Sequence, residues 1–145
     1  MRKKLQISLF LILLFSSACG YAQNVEVRVT GMRSARGQIS VAFFKDDDSF
    51  QKEKYFLMKH FKKAGVVNGE MTISFTMTPG IYGFTIVDDE NSDGNMNYNF
   101  IGIPTEGFGF SNYYHSGLTK PHFDVFKFSV FKEQKAKITC KVRYM

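Results

Sequence analysis

Asp89, Asn91, Asp93, Asn95 and Asn97 follow one another at every second position, with Gly94 in their midst. Counted from Asp89, oxygen-bearing side chains occupy the alternate places and glycine the sixth, the D-x-[DN]-x-[DN]-G half of a calcium loop. Such spacing suits a hard cation. Ca²⁺ takes about 6–8 oxygen ligands, and alternate residues of a tightly curved loop turn their carboxylate or amide oxygens inward. Gly94 permits the bend, and Asn95 offers its backbone carbonyl. Phe100 stands where a complete calcium loop has a bidentate Glu. The missing oxygens must come from elsewhere, with Glu106, Asp88 and Glu90 the candidates. The expected metal site is therefore Asp89, Asn91, Asp93, Asn95, Asn97 and Glu106, holding Ca²⁺ weakly, in the roughly 10⁻⁴–10⁻³ M range of extracellular modules. The competing account is an Asx-rich turn that needs no ion.

A second segment, Ile101 to Asn112, alternates Gly and Phe at 107–110. Its glycines are not spaced as a phosphate loop, and no Lys-Ser/Thr follows them. The alternation suggests an extended segment whose rings pack while its backbone passes close to a neighbour. A rival function follows: a carbohydrate- or peptide-binding module using loop 101–114, with Phe108, Phe110, Tyr113 and Tyr114 as a platform. The plainer account is core or rim packing of these rings. A third possibility is an enzyme, which requires Asp88, Asp89, Glu90 and Glu106 to converge in one cleft. His60, His115 and His122 fall outside any ligand spacing, and Ser111 lacks the G-x-S-x-G elbow. No catalytic residue is assigned, and the ligand or protein partner is left open.

The elements that must hold these segments read as strands. Val25, Val27 and Val29 alternate with polar residues, and Ile39, Val41 and Phe43 repeat the spacing of two. The same period of two marks Met71–Met77, then Tyr82, Phe84 and Ile86 after the Pro79-Gly80 turn, then Phe126–Val130. Ile138, Cys140, Val142 and Tyr144 close the set, with Cys140 placed as a buried, inert thiol. About six or seven such strands predict an all-β fold, an antiparallel β-sandwich of the immunoglobulin or transthyretin-like kind. Ser49 to Ala64 is open between two forms. Phe50, Leu57, Phe61 and Ala64 share a helical stripe, giving a short helix around 50–63, or the stretch is an irregular cross-over.

Composition and charge narrow the class of partner. The chain has 145 residues and a formal charge of +6. Arg2, Lys3 and Lys4 precede a nearly continuous apolar run from Leu5 to Phe15, and small residues lead to Gly20 and Ala22. This is the pattern of a secretory signal over residues 1–22, too short for a membrane span, with the mature domain at 23–145. Removal of the three cations leaves 16 against 13 anions, a charge of +3. Nucleic acid is not expected, nor a transmembrane segment. Export to the periplasm or beyond the cell is, with a lipid anchor through Cys19 as the minor alternative.

The run PGIYGFTIVDDENSDGNMNYNFIGIPTEGFGFSN, from Pro79 to Asn112, resembles the hallmark of the bacterial "domain of unknown function 2141" family. The opening VEVRVTGMRSARGQISVAFFKDDDSF fits the same family, so the likeness covers nearly all of the chain after residue 22. Asn97 departs from it, standing where the resemblance implies an acidic residue and lowering the charge of any metal site. The Pro79–Tyr82 turn is also similar to that of transthyretin-like sandwich modules. No activity comes with the resemblance. The sequence thus points to an exported, non-enzymatic binding or structural module with a calcium-loop-like insertion.

Overall fold

The computed structural model describes residues 23–145. The expected leader, Cys19 included, lies outside the described residues. Among the described residues eight strands form two sheets, an all-β sandwich. The smaller sheet places β1 (Val25–Thr30) between β4 (Met71–Phe75) and β8 (Ala136–Lys141). The larger runs β3 (Leu57–Lys62), β2 (Gln38–Phe44), β5 (Gly80–Asp89), β6 (Gly107–Phe110). β7 (Phe128–Val130) pairs with the first residues of the long β5, and β6 pairs with its last.

The period-two residues meet between the sheets. Val25, Val27 and Val29 are fully buried opposite Ile39, Val41, Phe43, Phe84 and Ile86. Fully burying one such side chain contributes roughly 1.5–3 kcal/mol, so this layer carries most of the fold's hydrophobic stabilisation. Cys140 belongs to the same layer, and burial pushes its thiol well above the ordinary range, which fits an inert residue.

Three local expectations are corrected. The sandwich is not wholly antiparallel: β1 and β8 pair in parallel, Val27 opposite Ile138. The long path between them supplies the crossover a parallel pair requires. The helix expected around 50–63 is confined to Asp47–Gln51 (α1), capped by the Asp46 carboxylate accepting from Ser49 N at 2.8 Å. Beyond it Leu57 and Phe61 pack into the main core from β3, while Met58 faces the opposite side. Residues four apart share a face in a helix and in a strand alike, so the stripe alone did not distinguish them. Gly107–Phe110, expected as loop, is a strand. A Cβ at Gly107 would lie 2.5 Å from Tyr144 Cε1, and one at Gly109 2.6 Å from Cys140 Sγ. Glycine lets β6 lie against the C-terminal strand, and its two phenylalanines turn outward.

Candidate functional site

β5 ends at Asp88-Asp89, and the chain returns as β6 from Gly107. Everything between is the insertion that carries the polar spacing. Asp89 is fully buried at its root. Its Oδ2 accepts from Gly94 N at 2.8 Å and from Gln38 Nε2 at 2.7 Å, and its Oδ1 from Asp93 N at 3.1 Å. Gly94 has φ +79°, which turns its N–H back onto that carboxylate.

Above Asp89 the alternate side chains converge. Asn91 Nδ2 donates to Asp93 Oδ2 and to Asn97 Oδ1, both at 3.0 Å, and Asn97 Nδ2 donates to the same Asp93 oxygen at 3.0 Å. Asp93 Oδ1 caps Asn95 N at 2.8 Å. Asn97, Asn95 and Asn91, in that order of effect, hold the Asp93 carboxyl below the usual carboxylate range. Asn95 itself turns its amide onto the Asp93 carbonyl and stays outside the ring. Glu106 joins from behind, accepting from Asn97 N at 3.2 Å. Burial raises its carboxyl above the ordinary value, and the charges of Asp89 and Asp93 add to the rise.

The expected six residues thus divide. Asn91, Asp93 and Asn97 meet, Asp89 pins the loop from below, Glu106 closes it from behind, and Asn95 is turned away. Among the described residues no three His, Cys, Asp or Glu side chains are grouped to hold one ion.

The carboxylates of the enzyme alternative do not meet in the main groove. Asp88 is fully buried and bonded by the Lys63 ammonium and the Tyr144 hydroxyl. Burial first, and then the Asp88 hydrogen bond, push the Tyr144 phenol upward. Glu90 accepts from Arg33 Nη2 at 2.6 Å and Ser34 Oγ at 2.5 Å, and the Arg33 guanidinium lowers its carboxyl to about 2. Arg33 also stacks over the Tyr144 ring, 4.5 Å from its centre. None of the four acids lines the molecule's main groove.

That groove was not legible as a motif. It lies on the outer face of the larger sheet, has a volume of about 550 Å³, and is floored by Ala42, Thr85, Val87 and Phe108. Asn95, Met96 and Tyr98 of the insertion wall one side. Glu53, Tyr55 and the 115–121 segment wall the rest, tied down by Gln51 Nε2 donating to Pro121 O at 3.0 Å. The platform expected from loop 101–114 is not formed as one exposed surface. Phe110 is only 6% exposed and belongs to a second apolar cluster with Phe50, Phe123 and Phe126, while Phe108 is half-buried on the groove floor. One signal was available: β2 reads Ser-Val-Ala-Phe-Phe with no charge on either face, as a strand covered on both sides does.

Residues 27–139 match the family described as uncharacterized protein conserved in bacteria (DUF2141). The chain belongs to the DUF2141 family. The match spans both sheets, the polar insertion and all of β6, so the loop and the groove floor are parts of the DUF2141 domain rather than additions to it. No curated protein and no solved structure matches the chain. Among the described residues no helix of this DUF2141 domain is long and apolar enough to cross a membrane.

Proposed function

We propose that this DUF2141 protein is an exported, non-enzymatic binding module, with its ligand seat in the groove on the outer sheet face. The leader pattern of residues 1–22 supports export to the periplasm or beyond. A single observation carries the binding reading: the loops covering the outer face stop short of packing onto it and leave a concave space of about 550 Å³. That volume falls in the usual range for small-molecule sites. Ca²⁺ is the proposed cofactor of the wall. Asn91, Asp93 and Asn97 meet at its bend, and their amides need only rotate to present oxygens. Burial raises the Glu106 carboxyl, the charges of Asp89 and Asp93 add to the rise, and a cation there would offset that added repulsion.

The test is a thermal-shift panel of sugars, short peptides and neutral, acidic and basic small molecules, run on the protein and on Val87→Lys. A compound class that raises Tm for the protein and not for the variant supports the module, and the absence of any such class overturns it. A parallel arm raises Ca²⁺ to about 10 mM. At 100 times Kd the gain is about 2.7 kcal/mol, lost on chelation and in Asp93→Ala. No shift with Ca²⁺ removes the metal and leaves the groove to stand on the panel.

A further inference from the structure

We infer that the groove takes an uncharged, largely apolar small molecule, of the kind a single acyl chain represents; this rests on the binding-module reading and names its ligand class.

Charge is the first argument. The charged side chains of the lining, Glu53 and Lys120, pair with each other at 3.1 Å, and Lys120 also lies over the Phe50 ring and donates to Gln51 O. No other Asp, Glu, Lys or Arg side chain lines the groove, so an ionic ligand would meet no unpaired side-chain carboxylate, ammonium or guanidinium there.

Hydrogen bonding is the second. His115 spends its Nε2–H on Thr119 O at 2.5 Å, and Ser40 Oγ is bonded to His60 Nδ1 at 2.9 Å. A sugar seat needs several convergent donors and acceptors, and this floor of Ala42, Thr85, Val87 and Phe108 offers the single hydroxyl of Thr85.

The third is the type of apolar side chain. Met58, Met96 and Met145 reach the groove from three separate parts of the chain. Unbranched, polarisable thioethers adapt to an irregular apolar body, as at other adaptable binding surfaces. Leu118, 86% exposed, stands at the rim and extends the apolar surface outward.

The test titrates the purified protein with N-phenyl-1-naphthylamine, an uncharged fluorophore that brightens in apolar surroundings. A saturable one-to-one rise is expected, displaced by a short-chain monoacylglycerol below its micelle concentration and not by maltotriose or by the anionic sulfonate analogue. Val87→Lys, which places an ammonium on the floor, should weaken binding about tenfold or more. Leu118→Asp, at an exposed position that leaves folding intact, should weaken it about threefold. Phe100→Ser, at an insertion tip that is 98% exposed and outside the lining, should change nothing. Displacement by maltotriose or the sulfonate alone overturns the apolar class while the module survives. No saturable binding by any probe overturns both. Loss in Phe100→Ser with full binding in Leu118→Asp moves the site to the insertion tip and also overturns the inference.

Discussion

The two faces of the larger sheet are made from alternate residues of the same strands, yet they are finished differently. On the inner face Val41, Phe43, Phe84 and Ile86 are fully buried against β1 and its neighbours, ring against ring, as in the 5.2 Å edge contact of Phe43 with Phe75. On the outer face Ala42, Thr85, Val87 and Phe108 meet loops that arch over them and leave space. Close packing by a second sheet produces rigidity; covering by loops produces a concavity. The polar insertion shows the same contrast in electrostatic terms. At its root the charges of Asp88 and Glu90 are bonded within the protein, while at its bend Asn91, Asp93 and Asn97 satisfy one another in solvent.

The comparison can be broken by mutation, and the largest effect belongs to the inner face. Phe43→Ala should cost about 3–5 kcal/mol in chemical denaturation, against less than about 1 kcal/mol for Met58→Ala on the groove side. Equal costs would mean that the outer face is packed as tightly as the inner. Next is the buried pair at the insertion's root. Lys63→Ala leaves the Asp88 charge uncompensated and should lose about 3–5 kcal/mol, most of it recovered when Asp88→Asn is added. If the second change recovers nothing, Lys63 acts by packing alone.

Gly109→Ala drives a methyl group toward Cys140 Sγ and should cost about 1–3 kcal/mol by forcing β6 off the C-terminal strand. The Arg33–Glu90 pair predicts a pH dependence. Because the folded-state value of Glu90 is depressed to about 2, its contribution is full above the ordinary carboxylate range and disappears as pH falls from about 4.5 toward 2. Half-exposure of Arg33 limits the contribution to about 1 kcal/mol, and Arg33→Ala should flatten the stability profile across that window. The smallest effect has the opposite sign. Glu106 is raised, so its ionisation works against the fold as pH increases through its folded value, and Glu106→Gln should stabilise the calcium-free protein by about 0.5 kcal/mol. The same variant should reduce the Tm gain from Ca²⁺; an unchanged gain would detach Glu106 from the metal proposal.

Where a strand has one wet face, its alternation names the core, and Val25–Val29 and Ile138–Val142 were legible for that reason. Leu57 and Phe61 were ambiguous because a spacing of four fits two periods. β6 was hidden because half of its residues are glycines, whose purpose shows only once Cys140 and Tyr144 lie beside them. The insertion was legible as a motif, and the convergence of Asn91, Asp93 and Asn97 agrees with their spacing. The burial of Asp88 against Lys63, 25 residues away, was not.

By itself, then, the sequence determined the period of the strands with one wet face, the sandwich class, the family, and a polar bend at residues 89–97, since these depend on neighbours a few residues apart. Tertiary structure alone decided the parallel pairing of β1 with β8, the partners of each buried carboxylate and the groove. Those are set by which distant segments share space, and a space between loops has no residue of its own to announce it.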